Sequence, residues 1–136
     1  MPALTTLLFP DPPLVRTPVR LFRWWESRRL DYNLTVGGAG LVTMGVVTTL
    51  SHLPGPLHGV PVAWGAIAAY GVMANVCYSF GWAIESTLQR WLDRDTYGLG
   101  PALFRHGLIF SVGLTLFPAA LACLGSILWA VGHVFR

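Results

Sequence analysis

The chain has 136 residues, of which 54% are hydrophobic and 11% charged, with 9 basic residues, all arginine, against 6 acidic ones. Soluble domains carry roughly 25% charged residues, so too few are present here to cover a water-facing surface. Positions 32–84 and 106–135 hold no Asp, Glu, Lys or Arg at all, which excludes a disordered tail, a nucleic-acid-binding module and a disulfide scaffold. The expectation is an all-α integral membrane protein.

Residues 1–17 read as a Pro-rich N-terminal arm. Leu4 to Phe9 is its only apolar run, and it lacks the basic start of a secretory signal, so it is expected to stay in the mature chain. Residues 18–31 interleave Arg20, Arg23, Arg28 and Arg29 with Phe22, Trp24 and Trp25 behind a capping Thr17. Such a segment predicts an N-terminal interfacial amphipathic helix along the headgroups, or equally the wetted start of a longer first helix.

Residues 32–136 then form the transmembrane domain. A crossing needs about 20 apolar residues at 1.5 Å per residue, so the two charge-free blocks hold three transmembrane helices. The first spans about 34–53 and stops at His52-Leu53-Pro54-Gly55-Pro56-Leu57-His58-Gly59, where proline and glycine cannot continue a helix. The second spans about 61–84, with Pro61 in its first turn. The third spans about 107–131 after Gly100-Pro101 and should kink at Pro118.

Orientation follows from the arginines. Arg16, Arg20, Arg23, Arg28 and Arg29 precede the first span, Arg90, Arg94 and Arg105 lie between the second and third, and only Arg136 lies at the far end. The positive-inside rule places the N-terminus in the cytoplasm and the C-terminus on the opposite side of the cell membrane. Interfacial aromatics agree, with Trp24, Trp25, Tyr32, Trp82, Trp91 and Tyr97 near the inner boundary and Trp64 and Trp129 near the outer one. Cys77 and Cys123 fall at different depths and are expected to pack rather than bridge.

Gly71, Asn75, Tyr78, Trp82 and Glu85 step by four, three, four and three, so they share one helix face. An amide and a phenol among lipid tails lose hydrogen bonds, so this stripe must meet protein or a bound molecule. It is read either as glue between helices or as the lining of a pocket for a quinone, carotenoid, pigment or lipid. No dedicated metal or haem site is recognised, and the cofactor stays unassigned.

Arg28, Arg29, Tyr32, Asn33 and Arg105 are expected to gather with Glu85 at one inner depth. There Glu85 would pair with Arg29 or Arg105 while spare arginines hold an anionic lipid headgroup. His52, His58 and His133 share the outer side as weak metal candidates, a loose constellation in which a Pro/Gly loop sets the spacing of the first two and the third lies near the terminus.

In size and topology the chain resembles the membrane-anchor subunits of succinate dehydrogenase. The resemblance stops there, because those anchors ligate haem through a histidine within a span and no histidine lies at mid-span here. Paired carboxylates, a Gly-Xaa-Ser-Xaa-Gly elbow, His-Glu-Xaa-Xaa-His and a phosphate loop are missing, so no catalytic residue is assigned. Glycine and alanine are plentiful on all three spans, more than three helices can use on one another. The expectation is a non-catalytic subunit that packs against a larger membrane complex, respiratory or photosynthetic, or against itself, in contact with lipid and not with nucleic acid.

Overall fold

The structure, a computed structural model, describes residues 4–11, 17–92 and 98–135; Arg16, Arg94, Tyr97 and Arg136 lie outside them. All four elements among the described residues are helices: α1 (Leu4–Leu8), α2 (Pro18–His52), α3 (Trp64–Leu92) and α4 (Leu99–Val134). The last three are long and apolar enough to cross a membrane, which makes the chain a multi-pass membrane protein.

Local chemistry sets the helix ends. The Thr17 hydroxyl accepts the Arg20 amide N–H at 3.3 Å, and Pro18 occupies the first turn, where its missing N–H costs nothing. From there α2 runs without interruption for 35 residues, so the segment expected along the headgroups is the first part of the first long helix and not a separate element. It ends at the Pro54-Gly55-Pro56 turn.

α3 opens at Trp64 and not at Pro61, because the first helical carbonyl is that of Ala63, which accepts from Ala66 and Ile67. Val60 precedes a proline and is thereby biased to extended backbone. α4 starts at Leu99, earlier than expected, with Gly98 supplying a left-handed φ of 90° as its cap and Pro101 fitting into the first turn. It continues through Pro118. Every long helix thus extends past its predicted inner boundary by about two turns or more.

Packing is concentrated where the arginines are. Trp24, Trp25, Tyr32 and Val36 of α2, Tyr78 of α3, and Phe104 and Leu108 of α4 form the buried core. Trp24, Trp25 and Tyr32, expected as interfacial anchors, are therefore core residues, whereas Trp91, Trp64 and Trp129 are exposed. α1 covers the same end: Leu7 and Leu8 pack on the core, and Trp24 Nε1 donates to the Asp11 carbonyl at 2.8 Å. At the other end the outer half of α3, Trp64 to Ala69, touches little and presents its surface outward.

Candidate functional site

The predicted stripe of α3 is the organising feature of the arginine end, and α2 and α4 take up most of it. Tyr78 donates its hydroxyl to the Trp25 carbonyl, and its ring meets Trp25 at 5.3 Å, Phe104 at 6.3 Å and Tyr32 at 4.7 Å between centroids. Most of these contacts are edge-to-face, the arrangement aromatic quadrupoles favour. Trp82 packs edge-on against Phe22 at 5.5 Å.

Glu85 is fully buried, and Trp25 Nε1 donates to its Oε2 at 2.8 Å. Two glycines make this possible. A Cβ on Gly81 would stand 2.5 Å from the Trp25 ring, and one on Gly100 would stand 2.5 Å from Glu85 Oε2. Gly100 lies in the first turn of α4, so the carboxyl group meets that helix at the positive end of its dipole.

Glu85 pairs with neither Arg29 nor Arg105, because the inner charges do not share one depth. Arg29 lies one α2 turn further along than Trp25 and reaches back up α3, where Nη2 donates to Ser79 Oγ at 3.2 Å and Nη1 to Asn75 Oδ1 at 3.4 Å. Its carboxylate partner is Glu26, one turn away on the same helix, at 2.6 Å. A neighbour at i,i+3 reaches the guanidinium with no tertiary rearrangement.

The other members of the expected cluster go elsewhere. Arg28 lies over the Trp24 ring at 4.1 Å, and Arg105 over the Phe9 ring at 5.1 Å. Tyr32 is buried, with its hydroxyl 2.8 Å from Ser111 Oγ and donating to the Ala74 carbonyl at 3.3 Å. Asn33 is exposed.

Gly71 and Asn75 form the one part of the stripe left open. Asn75 Nδ2 donates to the Gly71 carbonyl at 3.1 Å, and nothing lies within 4 Å of a Cβ built on Gly71. Both residues line a shallow, wide-open groove of about 590 Å³ together with Arg29, Ala68, Val72, Val76 and Ser79.

Several participants carry no pattern that singles them out in the sequence. Tyr70 donates to the Ser111 carbonyl at 3.1 Å and lies 2.6 Å from Thr115 Oγ1, while Thr43 donates to the Thr115 carbonyl at 2.7 Å. Tyr70 lies off the four-three period of the stripe, which continues backwards to Ala68, so that period does not point to it. No period points to Gly81, Gly100 or Trp25 either. Trp82 Nε1, Glu85 Oε1 and Ser86 Oγ are buried without a hydrogen-bond partner among the described residues.

The histidines do not assemble. His52, His58 and His133 are exposed, and each ring Nδ1 contacts a backbone carbonyl of its own segment: Thr48 at 2.7 Å, Leu53 at 3.3 Å and Trp129 at 3.3 Å. No group of three His, Cys, Asp or Glu side chains among the described residues is placed to hold a metal ion. Cys77 and Cys123 are free thiols and both are exposed, so neither is buried in the packing expected of them.

Among known proteins, no family model, no curated sequence and no solved structure matches this chain.

Proposed function

We propose that the protein is a non-catalytic membrane subunit that packs laterally against another membrane protein. The observation behind this reading is a contrast between two surfaces. The polar stripe of α3 is spent on internal contacts at Tyr78 and Glu85, whereas the small-residue face of α2 remains open: nothing lies within 4 Å of a Cβ at Gly37, Gly38 or Gly45. In lipid, helices associate where small residues let backbones approach, so this face suits a neighbouring helix.

The bundle sits in the cell membrane with the N-terminus and the α3–α4 loop in the cytoplasm, as the arginine distribution supports. Bulky substitutions at Gly38 and Gly45 should leave helicity and melting temperature unchanged but abolish co-migration with the partner on native gels. Co-migration that survives both changes contradicts the reading. Reporter fusions at either terminus check the orientation, and an active periplasmic-type reporter at the N-terminus contradicts it.

A second reading is a membrane anchor for a small apolar molecule bound on the stripe. Only its Gly71–Asn75 part supports this, because that part faces an open groove. The absorbance spectrum and organic extract of the purified protein test it. A stoichiometric quinone, carotenoid, pigment or lipid supports the anchor, and an empty extract contradicts it.

A further inference from the structure

We infer that the groove beside α3 holds one anionic phospholipid from the leaflet on the arginine side, with its glycerophosphate on Arg29 and Asn75 and one acyl chain against Val72 and Ala68. The inference rests on the anchor reading and narrows it to a lipid.

Shape is the first ground. Ala68, Gly71, Val72, Asn75 and Ser79 follow one side of α3, so the groove extends about 16 Å along the helix, close to half of a hydrocarbon core about 30 Å thick. Arg29, Asn75 and Ser79 make one part of it polar, with Val76 among them, and it is apolar from Val72 to Ala68. A lipid has the same polarity sequence over that length.

Donor accounting is the second. A guanidinium has five N–H groups. In Arg29 the Nε proton goes to Glu26, the Nη2 protons to Glu26 and Ser79, and one Nη1 proton to Asn75, which leaves the other Nη1 proton unused. Asn75 spends one amide proton on the Gly71 carbonyl and keeps the second. Two spare donors on touching, partly exposed residues at the polar end are available to phosphate or ester oxygens.

Charge selects the headgroup. Glu26–Arg29 is the one ion pair among the described residues, so Arg20, Arg23, Arg28, Arg90 and Arg105 have no carboxylate at pairing distance within that set. Six arginines against Asp11, Glu26, Asp31 and Glu85 leave the described residues of this end net positive, which favours an anionic headgroup. A transmembrane helix seated in the same groove would have to bury the partly exposed Glu26–Arg29 pair and desolvate both charges.

The test uses the full chain reconstituted in mixed phosphatidylglycerol and phosphatidylcholine, extracted in mild detergent, with retained lipid counted by native mass spectrometry. About one phosphatidylglycerol per chain should survive, several-fold more than phosphatidylcholine. Arg29→Gln and Gly71→Phe should each lower that retention several-fold. The second variant points its ring into open space, so the fold is preserved, and Gly113→Phe, equally unobstructed but outside the groove, should leave retention unchanged. Equal retention of the two lipids, undiminished retention in Gly71→Phe, or a disulfide-linked dimer of Ala68→Cys chains in place of lipid would overturn the inference. A quinone or pigment in the extract overturns it while sparing the anchor reading, and an extract with no stoichiometric molecule overturns both.

Discussion

Two glycines of α3 have opposite surroundings. Trp25 lies across Gly81, is 2% exposed and is held by its bond to Glu85, so it cannot swing away from an added methyl group. Gly81→Ala should therefore cost about 1–3 kcal/mol of stability. Gly71→Ala meets nothing and should be neutral or stabilising by up to about 1 kcal/mol through helix propensity alone. Melting curves in detergent check both; equal effects would contradict the close Trp25–Gly81 approach. At Glu85, substitution by Ala leaves the Trp25 N–H without an acceptor and should cost about 1–3 kcal/mol. Glu85→Gln keeps an oxygen for Trp25 and should cost less. Ser86→Ala removes a buried hydroxyl with no partner among the described residues and should be neutral or stabilising; a loss comparable to Glu85→Ala contradicts that placement. The stripe residues themselves were legible because an apolar background makes Asn75, Tyr78 and Glu85 conspicuous. Their partners were not, since a Trp near a predicted interface has a ready explanation as an anchor and a glycine has none until something is seen to press on it.

At the scale of helices, hydropathy located three long elements and missed their register. Depth counted along each span from its charged end put Glu85, Arg29 and Arg105 at one level. The register between helices is instead set by side-chain packing, with Trp25 on Gly81, Gly100 against Glu85 and Tyr32 joined to Ser111, and an apolarity profile carries none of this. Counting also failed at the helix ends, because charged and aromatic residues past an apolar run lower hydropathy without breaking a helix. Arg20 to Arg29 continue α2, and Arg90 and Trp91 continue α3. α1 was invisible as a packed element. Among the described residues the arm is held by the Trp24 hydrogen bond to the Asp11 carbonyl, by Arg105 over the Phe9 ring and by apolar contacts of Leu7 and Leu8, so Trp24→Phe should raise amide exchange of residues 5–9 at least several-fold while leaving α3 protected. Unchanged exchange would show that the arm does not depend on that bond.

For the whole molecule, the core lies at one end and the other end offers its surface to its surroundings. Trp25, Tyr78, Phe104 and Glu85 interlock around the arginines, whereas Trp64, Val72 and Met73 of α3 are at least 60% exposed. In water such an outer half would be an aggregation hazard; in hydrocarbon, lipid tails or a neighbouring helix cover it at little cost. The membrane class was legible from charge alone, because excluding charge from two long blocks leaves no soluble alternative. Which surfaces remain for a partner was not, since that depends on what the three helices first use on one another. The most direct test is a scan of α3 from Ala66 to Ser86 with single spin-labelled cysteines, in a background without Cys77 and Cys123, reconstituted in vesicles and read for accessibility to oxygen. A helical period with minima at Tyr78 and Glu85, maxima at Met73, Val76 and Phe80, and high values throughout 66–69 is the expected profile. Uniform accessibility, or maxima at Tyr78 and Glu85, would contradict a bundle that turns its polar stripe inward.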